Sequence, residues 1–181
     1  MESGHHSDQW WDLDTFVADE AASGSYCAEL ENRLIKHDVD CICGPATGGA
    51  VLAARIGAHL GIAPVSTLRL EKPVKPGLFP VRYELAEQDK ASVKGRRVAI
   101  VDDAIRAGSA VRGTHEALIA CAARPVVIGA LLVLGDSAAK LATERGLPLE
   151  GVVKVSFDFW KPDVCPLCRA GVPLQKVPPG Y

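Results

Sequence analysis

Two adjacent acids, Asp102 and Asp103, close a run of four apolar strand-forming residues, Val98, Ala99, Ile100 and Val101. A short loop containing Arg106, Ala107, Gly108 and Ser109 follows, and then a helix-like run, VRGTHEALIACAA. Strand, acid pair, small-residue loop and helix form an arrangement suited to a phosphorylated sugar. Carboxylates accept hydrogen bonds from ribose hydroxyls, while loop amides and a helix N-terminus take a phosphate. The structural alternative is an acid pair that ends a buried strand and caps the next helix.

A second candidate lies upstream, in CICGPATGG at residues 41–49. Gly44, Gly48 and Gly49 let a backbone approach a ligand closely, and the helix expected from Ala50 adds its N-terminal partial charge. Alone, this stretch reads more readily as a glycine-rich turn between strand and helix; an acid-pair loop some 50 residues downstream makes the ligand reading the stronger one. The chain carries no GxxxxGK[ST] phosphate loop and no GxGxxG after a strand.

The elements that must position these loops follow from the apolar periodicity. Helical patterning covers residues 19–37, with Leu30, Leu34 and Ile35 on the apolar side. A short buried strand is expected at 39–43, the first loop at 44–49, and a helix at 50–60 ended by Gly61. Strands follow at 63–70 and 81–85, separated by a loop or hairpin rim at 72–80 with three prolines and Gly77. The strand at 98–101 leads to a helix at 110–123. A strand at 125–134, a helix at 138–145 and a strand at 152–157 complete the pattern. Strands alternating with helices predict an α/β fold with a central, mostly parallel sheet flanked by helices. Ligands of such sheets bind at the carboxyl ends of the strands, where both loops leave.

Bulk properties narrow the class. A chain of 181 residues, 48% hydrophobic and 23% charged, is expected to form one domain with a sizeable core. The formal net charge of −2 offers no basic surface for nucleic acid. No apolar run approaches a membrane span, and the N-terminus lacks a signal-peptide pattern, so the expected compartment is the cytoplasm. Six cysteines are then expected as reduced thiols, three of them in apolar segments as small core hydrophobes. Cys165 and Cys168 form a single C-x-x-C, half of a four-ligand zinc site. A local turn with free thiols ranks first for this pair and metal second.

Residues 98–110, VAIVDDAIRAGSA, resemble the signature of the type I phosphoribosyltransferases, which bind 5-phosphoribosyl 1-pyrophosphate. The resemblance implies the type I phosphoribosyltransferase fold over residues 1–181. It places Asp102 and Asp103 on the ribose 2′- and 3′-hydroxyls and on Mg²⁺, and Ala107, Gly108 and Ser109 around the 5′-phosphate. Ala104 and Arg106 belong to the same donor-binding segment. Arg106 stands where the family usually has Thr or Ser, and its role is open. CICGPATGG is similar to the pyrophosphate loop of the orotate branch, which implies that Pro45, Ala46, Thr47 and Gly48 contact the donor pyrophosphate. SGHHSD at residues 3–8 and PDVCPLCRAGVPL at 162–174 resemble the two ends of bacterial members of that branch. The helix that precedes SG-x-HS in those enzymes and covers the base is expected to be missing.

Catalysis, by resemblance, falls to Arg69, Lys72 and Lys75 closing over the leaving pyrophosphate, with Asp103 near the reacting carbon. The loop at 72–80 has a lid's composition. Leu70 replaces the usual Lys, Arg82 resembles the Arg of a short-loop variant, and Asp136 stands near the position of an Arg that would meet the orotate carboxylate. The expected activity is transfer of 5-phosphoribose to a nucleobase, with orotate first. The alternatives are another base such as a purine, or a regulator that binds the donor without turnover. The expected assembly is a homodimer.

Overall fold

Apolar runs too long for half-exposed strands dominate the middle of the chain, and they become the buried centre of one sheet. The computed structural model describes residues 6–9, 11, 13–71, 81–156, 158 and 160–175. The strands β1 (Cys41–Pro45), β2 (Pro64–Glu71), β3 (Val81–Leu85), β4 (Arg97–Ile105), β5 (Arg124–Leu134) and β6 (Leu149–Val155) lie in the order β3-β2-β1-β4-β5-β6. All neighbours are parallel except β2 and β3, which pair antiparallel. β4 is buried from residue 98 to 102 and β5 from 127 to 134. Strands covered by helices on both faces require such continuous apolar runs.

The helices are α1 (Leu13–Ala18), α2 (Glu20–Leu34), α3 (Gly48–Leu60), α4 (Glu87–Lys90), α5 (Ser109–Ala120) and α6 (Ser137–Arg145). On one face, Val17, Leu30, Leu34, Leu52 and Ile56 from α1, α2 and α3 pack on Ile42, Ala99, Val101, Val127 and Leu131. On the other, Val111, Leu118 and Leu141 from α5 and α6 pack on Cys43, Val98, Ile100, Ile128 and Val133. Cys41 and Cys43 behave as core hydrophobes: burial pushes the Cys41 thiol up to about 11 and the Cys43 thiol further. The Asp19 carboxylate starts α2 by accepting the Ala21 and Ala22 amides at 2.9 and 3.1 Å.

The α/β class and the parallel sheet are as the periodicity predicts, with several boundaries corrected. β1 starts at Cys41 and runs to Pro45 because Asp40 is occupied at the strand's foot, where its carboxylate accepts the Arg97 amide at 3.0 Å. β4 does not stop at Val101. It carries the acid pair inside the ladder, with Asp102 opposite Ala130 and Ile105 opposite Val133, because the long apolar β5 supplies partners that far. α3 begins at Gly48, and β6 begins at Leu149. The helices α1 and α4 were not expected. Ile35 is 52% exposed, since it opens a 3-10 turn (Ile35–His37) and leaves the α2 stripe.

The chain divides into two compact units. Asp12–Val155 holds the whole sheet, and Met1–Trp11 with Ser156–Tyr181 forms the other. Among the described residues no helix is long and apolar enough to cross a membrane.

The antiparallel edge is fixed to α5 by a close contact, for a Cβ on Gly113 would lie 2.5 Å from Cδ2 of Tyr83. Gly113→Ala is expected to lower stability by about 1–3 kcal/mol. Urea denaturation with an unchanged m-value is the check.

Candidate active site

β1 and β4 are neighbours in the middle of the sheet, with Cys41 opposite Val98 and Cys43 opposite Ile100. From β1 the chain passes through α3 to β2 on one side; from β4 it passes through α5 to β5 on the other. Such a reversal opens a crevice beyond the carboxyl ends of the two strands, where ligands of α/β sheets bind. Both helices begin at that edge, and neither N-cap residue, Thr47 or Gly108, gives a side-chain hydrogen bond to the first-turn amides. Each N-terminus thus offers backbone N–H groups and the positive end of a three-turn helix to an anion. Gly108 is required at its position: its φ is +77°, and a Cβ would sit 3.0 Å from Cδ2 of Leu141.

The acid pair and the first loop are pressed together. A Cβ on Gly48 would lie 2.5 Å from Oδ2 of Asp103, and one on Gly49 would lie 2.9 Å from Oδ1 of Asp102. A Cβ on Gly44 would overlap the Gly49 carbonyl. The Asp102 carboxylate accepts the Asp103 amide at 3.1 Å, and the Asp103 carboxylate accepts the Ala104 amide at 2.8 Å. Asp102 is buried and Asp103 is partly exposed at the edge. Pro45 is buried, Ala46 and Gly48 are half-buried, Thr47 is exposed, and the Ala46–Thr47 peptide is cis. Ala107 and Ser109 are exposed, while Ala104 is half-buried in β4.

One residue that ties the site together escapes a reading by motif. Thr67 of β2 accepts the Ala46 amide on its carbonyl at 2.9 Å. Its hydroxyl meets the Thr114 hydroxyl of α5 at 2.7 Å, with both side chains fully buried. The first loop and the helix behind the second loop are thus held by the same strand residue. A threonine on the buried face of an apolar strand was the only signal, and threonine is also an ordinary strand former.

Arg106 is half-buried; burial lowers its guanidinium pKa and the Asp103 carboxylate raises it, so the two groups share one electrostatic environment. Arg69 lies opposite Tyr83 on β2, two residues beyond Thr67 on the same face and exposed toward the carboxyl end. Leu70 lies opposite Arg82, whose Nε is 3.6 Å from Oε1 of Glu84. Lys72, Lys75 and the loop at 72–80 fall outside the described residues. Asp136 is exposed at the start of α6, just beyond β5 and next to β4 in the sheet.

Two carboxylates are hard oxygen donors, and among the described residues no third His, Cys, Asp or Glu joins them in a ligand cluster. That donor set fits Mg²⁺, which binds through one or two carboxylates and fills its shell with water and phosphate oxygens. It does not fit a closed protein cage.

Gly48→Ala is expected to keep the fold and to weaken binding of inorganic pyrophosphate, in the presence of Mg²⁺, by at least about tenfold, or about 1.4 kcal/mol. Isothermal titration of both proteins reads this directly. Equal affinities would show that the approach of this loop to Asp103 is irrelevant to the ligand.

The geometry agrees with what the chain is similar to. The model of the phosphoribosyl transferase domain family matches residues 17–165. Orotate phosphoribosyltransferase of Caldanaerobacter subterraneus subsp. tengcongensis is 25% identical over 176 residues, covering 97% of this chain and 85% of that protein. Orotate phosphoribosyltransferase from Aeropyrum pernix superposes with a TM-score of 0.70 at 22% identity, covering 86% of this chain and 84% of the other. Adenine phosphoribosyltransferase from Thermoanaerobacter pseudethanolicus superposes with a TM-score of 0.67 at 20% identity, covering 83% and 94%. The family match over most of the chain, on a sheet whose paired loops suit a sugar phosphate, identifies the chain as a member of the phosphoribosyl transferase family, a pentosyltransferase of the type I fold.

Proposed function

We propose that this protein transfers 5-phosphoribose from 5-phosphoribosyl 1-pyrophosphate to a nucleobase, orotate, and releases pyrophosphate. The observation that carries the reading is the pair of uncapped helix N-termini on adjacent strands with two carboxylates between them. The start of α5, with Ala107, Gly108 and Ser109, takes the 5′-phosphate. Pro45, Ala46, Thr47 and Gly48, at the start of α3, take the pyrophosphate. Asp102 and Asp103 accept hydrogen bonds from the ribose hydroxyls.

In the reaction the bond from the anomeric carbon to pyrophosphate breaks, its electron pair leaves with pyrophosphate, and a ring nitrogen of the base bonds to that carbon while the N–H proton of the base passes to solvent. Positive charge grows on the sugar and negative charge on the leaving group. Preorganised amides at α3 meet the second, and the Asp103 carboxylate steadies the first. Arg69, with Lys72 and Lys75, offers positive charge to the departing pyrophosphate. Asp102 and Asp103 would hold Mg²⁺, whose chemistry there would be neutralisation of the donor's negative charge. The working form is a cytoplasmic homodimer.

Orotate is the first acceptor because the curated relatives similar over nearly the whole chain carry that name. One observation favours a second reading. Asp136 places a negative charge at the sheet edge beside β4, and a carboxylate there repels orotate and tolerates an uncharged base.

A panel of orotate, uracil, adenine, guanine and hypoxanthine with the donor and Mg²⁺, read by pyrophosphate release, decides the acceptor. Orotate turnover with the others silent is expected. Turnover of an uncharged base alone moves the assignment to the second reading, and silence with all bases contradicts transfer activity. The double variant Asp102→Asn, Asp103→Asn is expected to lose donor binding in isothermal titration while keeping the far-ultraviolet circular dichroism of the parent. Retained binding would contradict the assigned role of the acids.

A further inference from the structure

The second unit joins two segments that lie far apart in sequence. The His6 amide donates to the Trp160 carbonyl at 2.8 Å, and the Trp160 amide donates back at 2.9 Å. The Ser7 hydroxyl donates to the Asp158 carbonyl at 3.0 Å. Among the described residues of this unit Cys165 is the one buried hydrophobic side chain, while Val164, Val172 and Leu174 are exposed. Segments this short that bury so little among themselves usually need a covalent or metal cross-link.

The backbone pairing sets a third group beside the C-x-x-C. Nδ1 of His6 lies 3.1 Å from Sγ of Cys168. The ligand atoms of His6, Cys165 and Cys168 all fall within 4.8 Å of one another. In a tetrahedral site with zinc bond lengths, nitrogen–sulfur and sulfur–sulfur edges are about 3.5 and 3.8 Å. The three atoms therefore need only small shifts to share one ion. Their scaffold suits this. Cys165 ends a 3-10 turn (Pro162–Val164) and opens the single-turn helix α7 (Pro166–Arg169), which carries Cys168. The Cys165 carbonyl accepts the Arg169 amide at 3.2 Å and the Cys168 carbonyl accepts the Gly171 amide at 3.1 Å, a turn that keeps the two sulfurs within 4.8 Å of each other.

We propose that His6, Cys165 and Cys168 bind one zinc ion, through Nδ1 and two thiolates, and that this ion fastens the N-terminal segment to the C-terminal one. On binding, each cysteine releases its thiol proton to solvent, and no electron is transferred. Cys168 is exposed, so water or an added ligand can complete a four-coordinate site. Two sulfurs and an imidazole favour zinc or cobalt and disfavour Mg²⁺, so this site and the acid pair select different ions. The inference stands apart from the proposed reaction: none of the three residues belongs to the loops on β1 and β4.

The test uses the full chain, reduced and freed of metal. Cobalt(II) titration is expected to give thiolate-to-cobalt charge-transfer absorption and tetrahedral visible bands that saturate at one ion per chain, and zinc is expected to displace them. His6→Ala and Cys168→Ser are each expected to weaken cobalt binding by at least about tenfold. Because a variant can fail to fold, the parent protein gives a second reading. Zinc is expected to protect Cys165 and Cys168 from iodoacetamide, located by mass spectrometry of the peptides, and excess Mg²⁺ is not. Absence of stoichiometric cobalt uptake by the reduced protein would overturn the proposal. So would unchanged alkylation of both cysteines under zinc, or full cobalt affinity in a folded His6→Ala variant.

Discussion

Two glycines without side chains bring a helix against two carboxylates, and the rest of the site depends on that approach. A Cβ on Gly48 would sit 2.5 Å from the Asp103 carboxylate, and one on Gly49 would press on Asp102 and Pro45. Because neither exists, the N-terminus of α3 reaches the acids on β4. The negative charges then lie beside the partial positive charge of the helix N-terminus, which is preorganised for an anion. A side chain at either position would part the loops and move the start of α3 away from the two acids.

That approach is held from both faces of the sheet. α3 is seated by Leu52 and Ile56 on one face, and α5 by Val111 and Leu118 on the other. Between them, Thr67 binds the first loop through its carbonyl and α5 through its hydroxyl. A buried hydroxyl pair that lost one member would leave the other unsatisfied, at a cost of about 1–3 kcal/mol. The position of the two loops is therefore set by core packing and by one polar joint beneath the edge.

Much of this was legible in residue order. Alternating apolar runs specify the α/β class, and the acid pair with Gly108 and the GPATGG stretch mark where a donor would sit. Other features were hidden for physical reasons. β4 runs past its acids because β5 offers ladder partners, and a strand's length depends on its neighbour as well as on its own residues. The Thr67–Thr114 bond and the meeting of His6 with Cys168 join residues far apart in sequence, where no periodicity carries a signal. Asp136 was legible as a charge, but its effect depends on how a base lies at the edge, which pattern alone does not decide.

On the proposed function, one edge of the sheet holds a whole phosphoribosyl donor across two helix N-termini. The decisive measurement is a crystal structure of the protein with 5-phosphoribosyl 1-pyrophosphate and Mg²⁺. The 5′-phosphate is expected on the amides at Gly108 and Ser109, the pyrophosphate on those at residues 46–48, and the ribose hydroxyls on Asp102 and Asp103. Donor density elsewhere on the sheet, or a ribose turned away from both acids, would contradict it.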